Sequence, residues 1–67
     1  MIYERIKALR VDKDLSQKEL ADILDVTRSA YSNYENGIRE LPVEILSRLA
    51  DFYGTSVDYI IGRTDKF

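Results

Sequence analysis

The sequence predicts an all-α fold, a compact bundle of five short helices. Apolar residues recur at i, i+3 and i+4 spacing along most of the chain. Helix-start signals stand at Ser16, Thr27 and Pro42, and helix-stopping glycines at 37, 54 and 62. No stretch makes a convincing strand.

The first helix is expected from Ile2 to about Lys13, where Ile2, Ile6 and Leu9 form an apolar stripe between polar residues. Ser16-Gln17-Lys18-Glu19 then forms S-x-x-E ahead of Leu20, Ala21, Ile23 and Leu24. In that pattern a hydroxyl and a carboxylate reciprocally satisfy unpaired amides at a helix start. The second helix runs to about Leu24. Only Asp25 and Val26 separate it from Thr27, the next good N-cap.

The third helix ends at Asn36-Gly37, two residues that tolerate the left-handed backbone closing many helices. Pro42 suits the first turn of the fourth, in which Val43, Leu46, Leu49, Ala50 and Tyr53 are expected to share a buried face until Gly54. A last segment, Ser56 to Ile61, carries Val57, Ile60 and Ile61 at i, i+3, i+4 and closes at Gly62.

Composition narrows function. With 67 residues, a single domain spanning 1–67 is expected, of a size that buries roughly 60% of its unfolded surface. No apolar run approaches the ~18 residues needed to cross a bilayer, and MIYERIK carries charges where a secretory signal needs an apolar stretch. A cytoplasmic protein without a membrane partner is expected. The chain has no cysteine and no histidine, which removes thiolate chemistry and the commonest general base and metal ligand. No catalytic residue, metal or cofactor is expected, and no small-molecule ligand is evident. The acids Asp12/Asp14 and Asp22/Asp25 suit solvated helix ends better than an acid/base pair, and a hydrolase has no residues to support it.

The stretch DVTRSAYSNYENG, residues 25 to 37, carries the functional signal. On a helix, Arg28, Ser29, Ser32, Asn33 and Asn36 gather within an arc of roughly 140°, while Ala30, Tyr31 and Tyr34 face the other way. Faces chosen for solubility favour Glu and Lys; this one carries poor helix formers with versatile hydrogen bonding. Two short helices joined by three or four residues must cross steeply, as in a helix-turn-helix. Ala21 supplies a small residue for the crossing, and Val26 can plug the space beneath. Tyr31, Tyr34 and Tyr53 belong to the core; the places of Tyr3 and Tyr59 are left open.

From IKALR through LSQKELADIL, DVTRSAYSNYENG and LADFYGTSVDYIIG, nearly the whole chain resembles the helix-turn-helix transcriptional regulators of the phage-repressor type, the Cro/CI-like or XRE family. The resemblance implies a lambda-repressor-like DNA-binding domain, with the helix-turn-helix over about 16–36, that binds a double-stranded operator as a homodimer. It implies that the third helix enters the major groove, with Arg28, Ser29 and Asn33, and Ser32 beside them, at base edges. Arginine can bond guanine O6 and N7, and asparagine adenine N6 and N7. It implies that Gln17, Lys18, Thr27, Asn36 and Arg39 hold the DNA backbone, and that Arg10 and Glu35 form an internal ion bridge between the first and third helices.

Three features depart from the family. Asp25 stands at a turn position usually held by glycine, Tyr31 fills a slot usually aliphatic, and Glu40 and Glu44 follow the third helix where phage repressors are often basic. The net charge is −2, so a DNA-binding face must be made by local distribution. Apolar area for a dimer contact is sought near Val57 to Phe67, in Ile60, Ile61 and Phe67. The rival expectation is a protein-interaction module, an antitoxin or adaptor, with little direct DNA affinity.

Overall fold

A computed structural model describes residues 3–67, and all statements of structure concern these. Five helices follow one another: α1 (Glu4–Asp12), α2 (Gln17–Leu24), α3 (Arg28–Glu35), α4 (Val43–Tyr53) and α5 (Val57–Ile60). Among the described residues there is no strand. Ile2, expected to open the first helix, lies outside them.

Most boundaries have a local cause. Asp14 adopts a left-handed φ of 57°, which turns the chain back after α1. The S-x-x-E pattern is a complete capping box: Ser16 Oγ accepts from Glu19 N at 3.0 Å, and Ser16 N donates to Glu19 Oε1 at 2.9 Å. The bond from the Ser16 backbone N–H first, and then the Ser16 side chain, hold the Glu19 carboxyl below its ordinary pKa. Thr27 Oγ1 caps α3 by accepting from Ala30 N at 3.1 Å. Gly37 and Gly54 take left-handed φ values of 74° and 69° beyond α3 and α4. Pro42 is the N-cap of α4, with an extended ψ of 149°, and so stands one residue before the first helical turn.

The core gathers Ile6 of α1, Leu20, Ala21 and Leu24 of α2, Tyr31 of α3, Leu49 of α4 and Ile60 of α5, each almost wholly buried. Burying a side chain of leucine size contributes about 1.5–3 kcal/mol, so these few positions carry much of the drive to fold. One sequence expectation is corrected and one open choice is resolved. Val43, the first residue of α4, is 78% exposed, and Ile45 is buried instead. Ile60 is turned into the core at 1% exposure, so it cannot supply a dimer contact. Ile61 is partly buried against the core, and Phe67 is exposed.

Polar ties close the bundle. Tyr3 is buried; its hydroxyl donates to Glu40 Oε2 at 2.6 Å and accepts from Leu41 N at 3.3 Å. Arg48 Nη1 donates to the Leu24 carbonyl at 2.9 Å, satisfying a backbone acceptor left open at the end of α2. Arg5 grips the C-terminal segment: its Nη1 donates to the carbonyls of Tyr59 and Thr64, and its Nη2 to Asp65 Oδ1 at 2.7 Å. Its guanidinium lies 4.2 Å from the centre of the half-buried Tyr59 ring, which Phe67 meets edge-on.

Candidate nucleic-acid interface

Asp25, Val26 and Thr27 join α2 to α3 in a turn of the length a helix-turn-helix uses. Asp25 makes the reversal with a φ of 59°, and Val26 N returns to the Ala21 carbonyl at 3.0 Å. Ala21 is 1% exposed; its single methyl lets the backbones approach, and Val26 packs against the core beside it.

The inward side of α3 fixes the outward one. Tyr31 and Tyr34 are buried, and helical geometry then turns Arg28 and Ser29 to solvent, with Ser32 and Asn33 at half exposure. Together with Gln17 from the start of α2, these four residues line a cleft of about 240 Å³. No carboxylate belongs to that lining. Arg28 and Arg39 have no ion pair among the described residues, so their charge is available to an anion.

The other candidates lie outside the cleft. Lys18 is paired with Asp22 at 3.1 Å, both well exposed; such a pair is weak and leaves the ammonium partly neutralised. Thr27 spends its oxygen on the α3 cap and keeps its hydroxyl proton. Asn36 Nδ2 donates to Ser32 Oγ at 3.3 Å at the exposed end of α3. Arg39 is exposed in the following turn, its N–H bonded to the Asn33 carbonyl at 3.2 Å.

Behind α3, Arg10 and Glu35 form a two-pronged pair. Nε donates to Oε2 at 2.6 Å and Nη2 to Oε1 at 3.1 Å, with the Arg10 side chain 12% and the Glu35 side chain 2% exposed. Burial pushes the Glu35 carboxyl up, but the hydrogen bonds from Arg10 and Gln17 and the charge of Arg10 prevail, and it sits below its ordinary pKa. Gln17 Nε2 donates to Glu35 Oε1 at 3.2 Å. This contact was not foreseen, nor were those of Arg48 and Tyr3. A signal for the first existed: Glu35 falls at the edge of the buried arc of α3, where a carboxylate needs donors. Nothing local announces the other two, whose partners are remote in sequence.

Among the described residues no cluster of three or more His, Cys, Asp or Glu could hold a metal ion, and no helix is long and apolar enough to cross a membrane.

A family model described as helix-turn-helix matches residues 6–60. The chain is similar to YonR, an SPbeta prophage-derived uncharacterized HTH-type transcriptional regulator of Bacillus subtilis, with 38% identity over 96% of this chain and 59% of the relative. It is similar to RstR, the cryptic phage CTXphi transcriptional repressor of Vibrio cholerae, with 32% identity over 97% of this chain and 59% of the relative. It is also similar to the antitoxin PezA of Streptococcus pneumoniae, with 36% identity over 92% of this chain and 39% of the relative. The chain thus spans less than two thirds of each of these curated relatives.

Proposed function

The chain belongs to the helix-turn-helix family of the phage-repressor type, and from that premise we propose that it is a sequence-specific DNA-binding regulator of transcription. In this reading α3 enters the major groove of a pseudo-palindromic operator, one copy in each half-site of a homodimer, and repression follows when the bound pair blocks polymerase. Half-sites about 34 Å apart would put both recognition helices on the same side of the duplex.

The observation that carries the reading is the cleft itself: Gln17, Arg28, Ser29, Ser32 and Asn33 converge there with no carboxylate among them. An α-helix with its side chains is about 10–12 Å across, so α3 fits a groove about 12 Å wide. Arg28 and Asn33 supply side chains able to bond two edge atoms of one base, with Ser29 and Ser32 beside them. Gln17, Lys18, Thr27, Asn36 and Arg39 flank them with donors suited to phosphate oxygens. A net charge of −2 is compatible with this, because a phosphate backbone meets one face only.

A second reading has support in the antitoxin relative and in the exposed acids Glu40 and Glu44: an interaction module with little DNA affinity of its own. One experiment separates the two. Selection from a randomised duplex pool should enrich sites with dyad symmetry and half-sites one helical turn apart, and their affinity should fall with salt at a log–log slope of about −0.9 per phosphate contact. A pool that enriches nothing at low salt refutes DNA recognition and favours the interaction module.

A further inference from the structure

Gln17 opens α2 and Glu35 closes α3, yet their side chains meet at 3.2 Å through Glu35 Oε1. That oxygen also accepts from Arg10 Nη2 at 3.1 Å. Arg10 in turn donates through Nη1 to the Leu15 carbonyl at 2.8 Å, which ties in the loop leading to α2. Of the five residues lining the cleft, Gln17 alone bonds to this buried pair.

We infer that Gln17 is a positioning residue: the Arg10–Glu35 pair holds its amide in one orientation before any ligand arrives, and what Gln17 contributes in the cleft depends on that hold. An amide nitrogen carries two hydrogens. With one committed to Glu35, the second N–H is left for an acceptor such as a duplex phosphate oxygen. A loose glutamine must surrender rotamer freedom on binding, whereas a held one has done so already. At 3.2 Å the bond is at the long end for an N–H donor, and the charge of its acceptor favours it over a neutral one. The identity of the ligand rests on the DNA-binding reading; the hold itself is a property of the unbound chain.

The test begins without DNA. Gln17 is the single glutamine of the chain, so its side-chain amide is readily assigned by NMR in labelled protein. Its order parameter should lie above about 0.6, the upper limit of flexible groups. In an Arg10→Met/Glu35→Leu variant, which removes both charges together and leaves none unpaired, it should fall below that limit while helical circular dichroism persists. A mobile Gln17 amide in the wild-type protein overturns the inference whether or not the variant folds.

The second arm uses a duplex enriched from a randomised pool. Gln17→Ala should weaken binding about tenfold in the wild-type background and less than about twofold in the double variant, as expected of residues in one network. Equal losses in both backgrounds overturn the inference even if DNA binding is real. If the wild-type chain binds no duplex, the DNA reading falls, and the amide measurement still decides the hold.

Discussion

Glu35 Oε2 lies 2.6 Å from Arg10 Nε with only 2% of the Glu35 side chain exposed, so the carboxylate that ends α3 is fastened to the helix that opens the fold. Removing one member of a buried pair strands the other charge, at a cost of about 3–5 kcal/mol, whereas removing both is often neutral. Arg10→Met should therefore lower the stability measured by urea unfolding by that amount. Adding Glu35→Leu should recover most of it.

The same pair sets a pH dependence. Glu35 has a folded-state pKa below its ordinary value of 4.5, so its stabilisation is complete above that value and is lost as pH falls through the lower folded one. Wild-type stability should decline below about pH 4.5 more steeply than that of the Arg10→Met/Glu35→Leu variant. Parallel urea midpoints across pH 2–5 for the two proteins would contradict the assignment.

Asp25 carries its turn at a φ of 59°, a conformation that costs most L-residues about 1–2 kcal/mol and aspartate less. Asp25→Gly should stabilise the protein by about 0.5–1 kcal/mol, raising Tm by several degrees for a domain of this size. Gly54→Ala makes the converse case. A methyl there meets nothing within 4 Å, so its loss of about 1 kcal/mol would come from the positive φ alone.

The Tyr53 hydroxyl is buried with no hydrogen-bond partner, and that burial pushes its pKa up to about 12. A desolvated, unpaired hydroxyl opposes folding. Tyr53→Phe should leave the ring packed and the stability unchanged or higher by up to about 1 kcal/mol. A clear loss in thermal unfolding would reveal a partner for the oxygen.

Arg28 is exposed and has no ion pair among the described residues, so its loss should not disturb the fold. Arg28→Ala should weaken binding to an enriched duplex by about 1–3 kcal/mol and relax preference at one base position, with unfolding unaltered. Uniform weakening across all sequences would move Arg28 from the bases to the backbone.

How much of this was legible in the residues depends on the range of the interaction concerned. The capping box at Ser16 and Glu19, the Thr27 cap and the glycines after α3 and α4 act within a few residues, so their boundaries follow from neighbours alone. The polar side of α3 was likewise visible, because a helix with Tyr31 and Tyr34 inward has only one way to turn Arg28 and Asn33. Val43 departs from its expected face, and the choice among Ile60, Ile61 and Phe67 stays open in the sequence, since periodicity gives the direction of a side chain but not whether another helix extends far enough to cover it. Gln17 is expected at the DNA backbone but not at Glu35, which sits 18 positions away. Contacts of that span, like Tyr3 with Glu40, are set by how helices dock.

The Arg5 grip joins positions 54 and 60 residues apart, and this bears on how the molecule is made. Synthesis delivers α1 from the ribosome before Tyr59 and Asp65, so the guanidinium waits without its partners while the residues between them are still being translated. That grip can therefore close only once both of its ends are free of the exit tunnel.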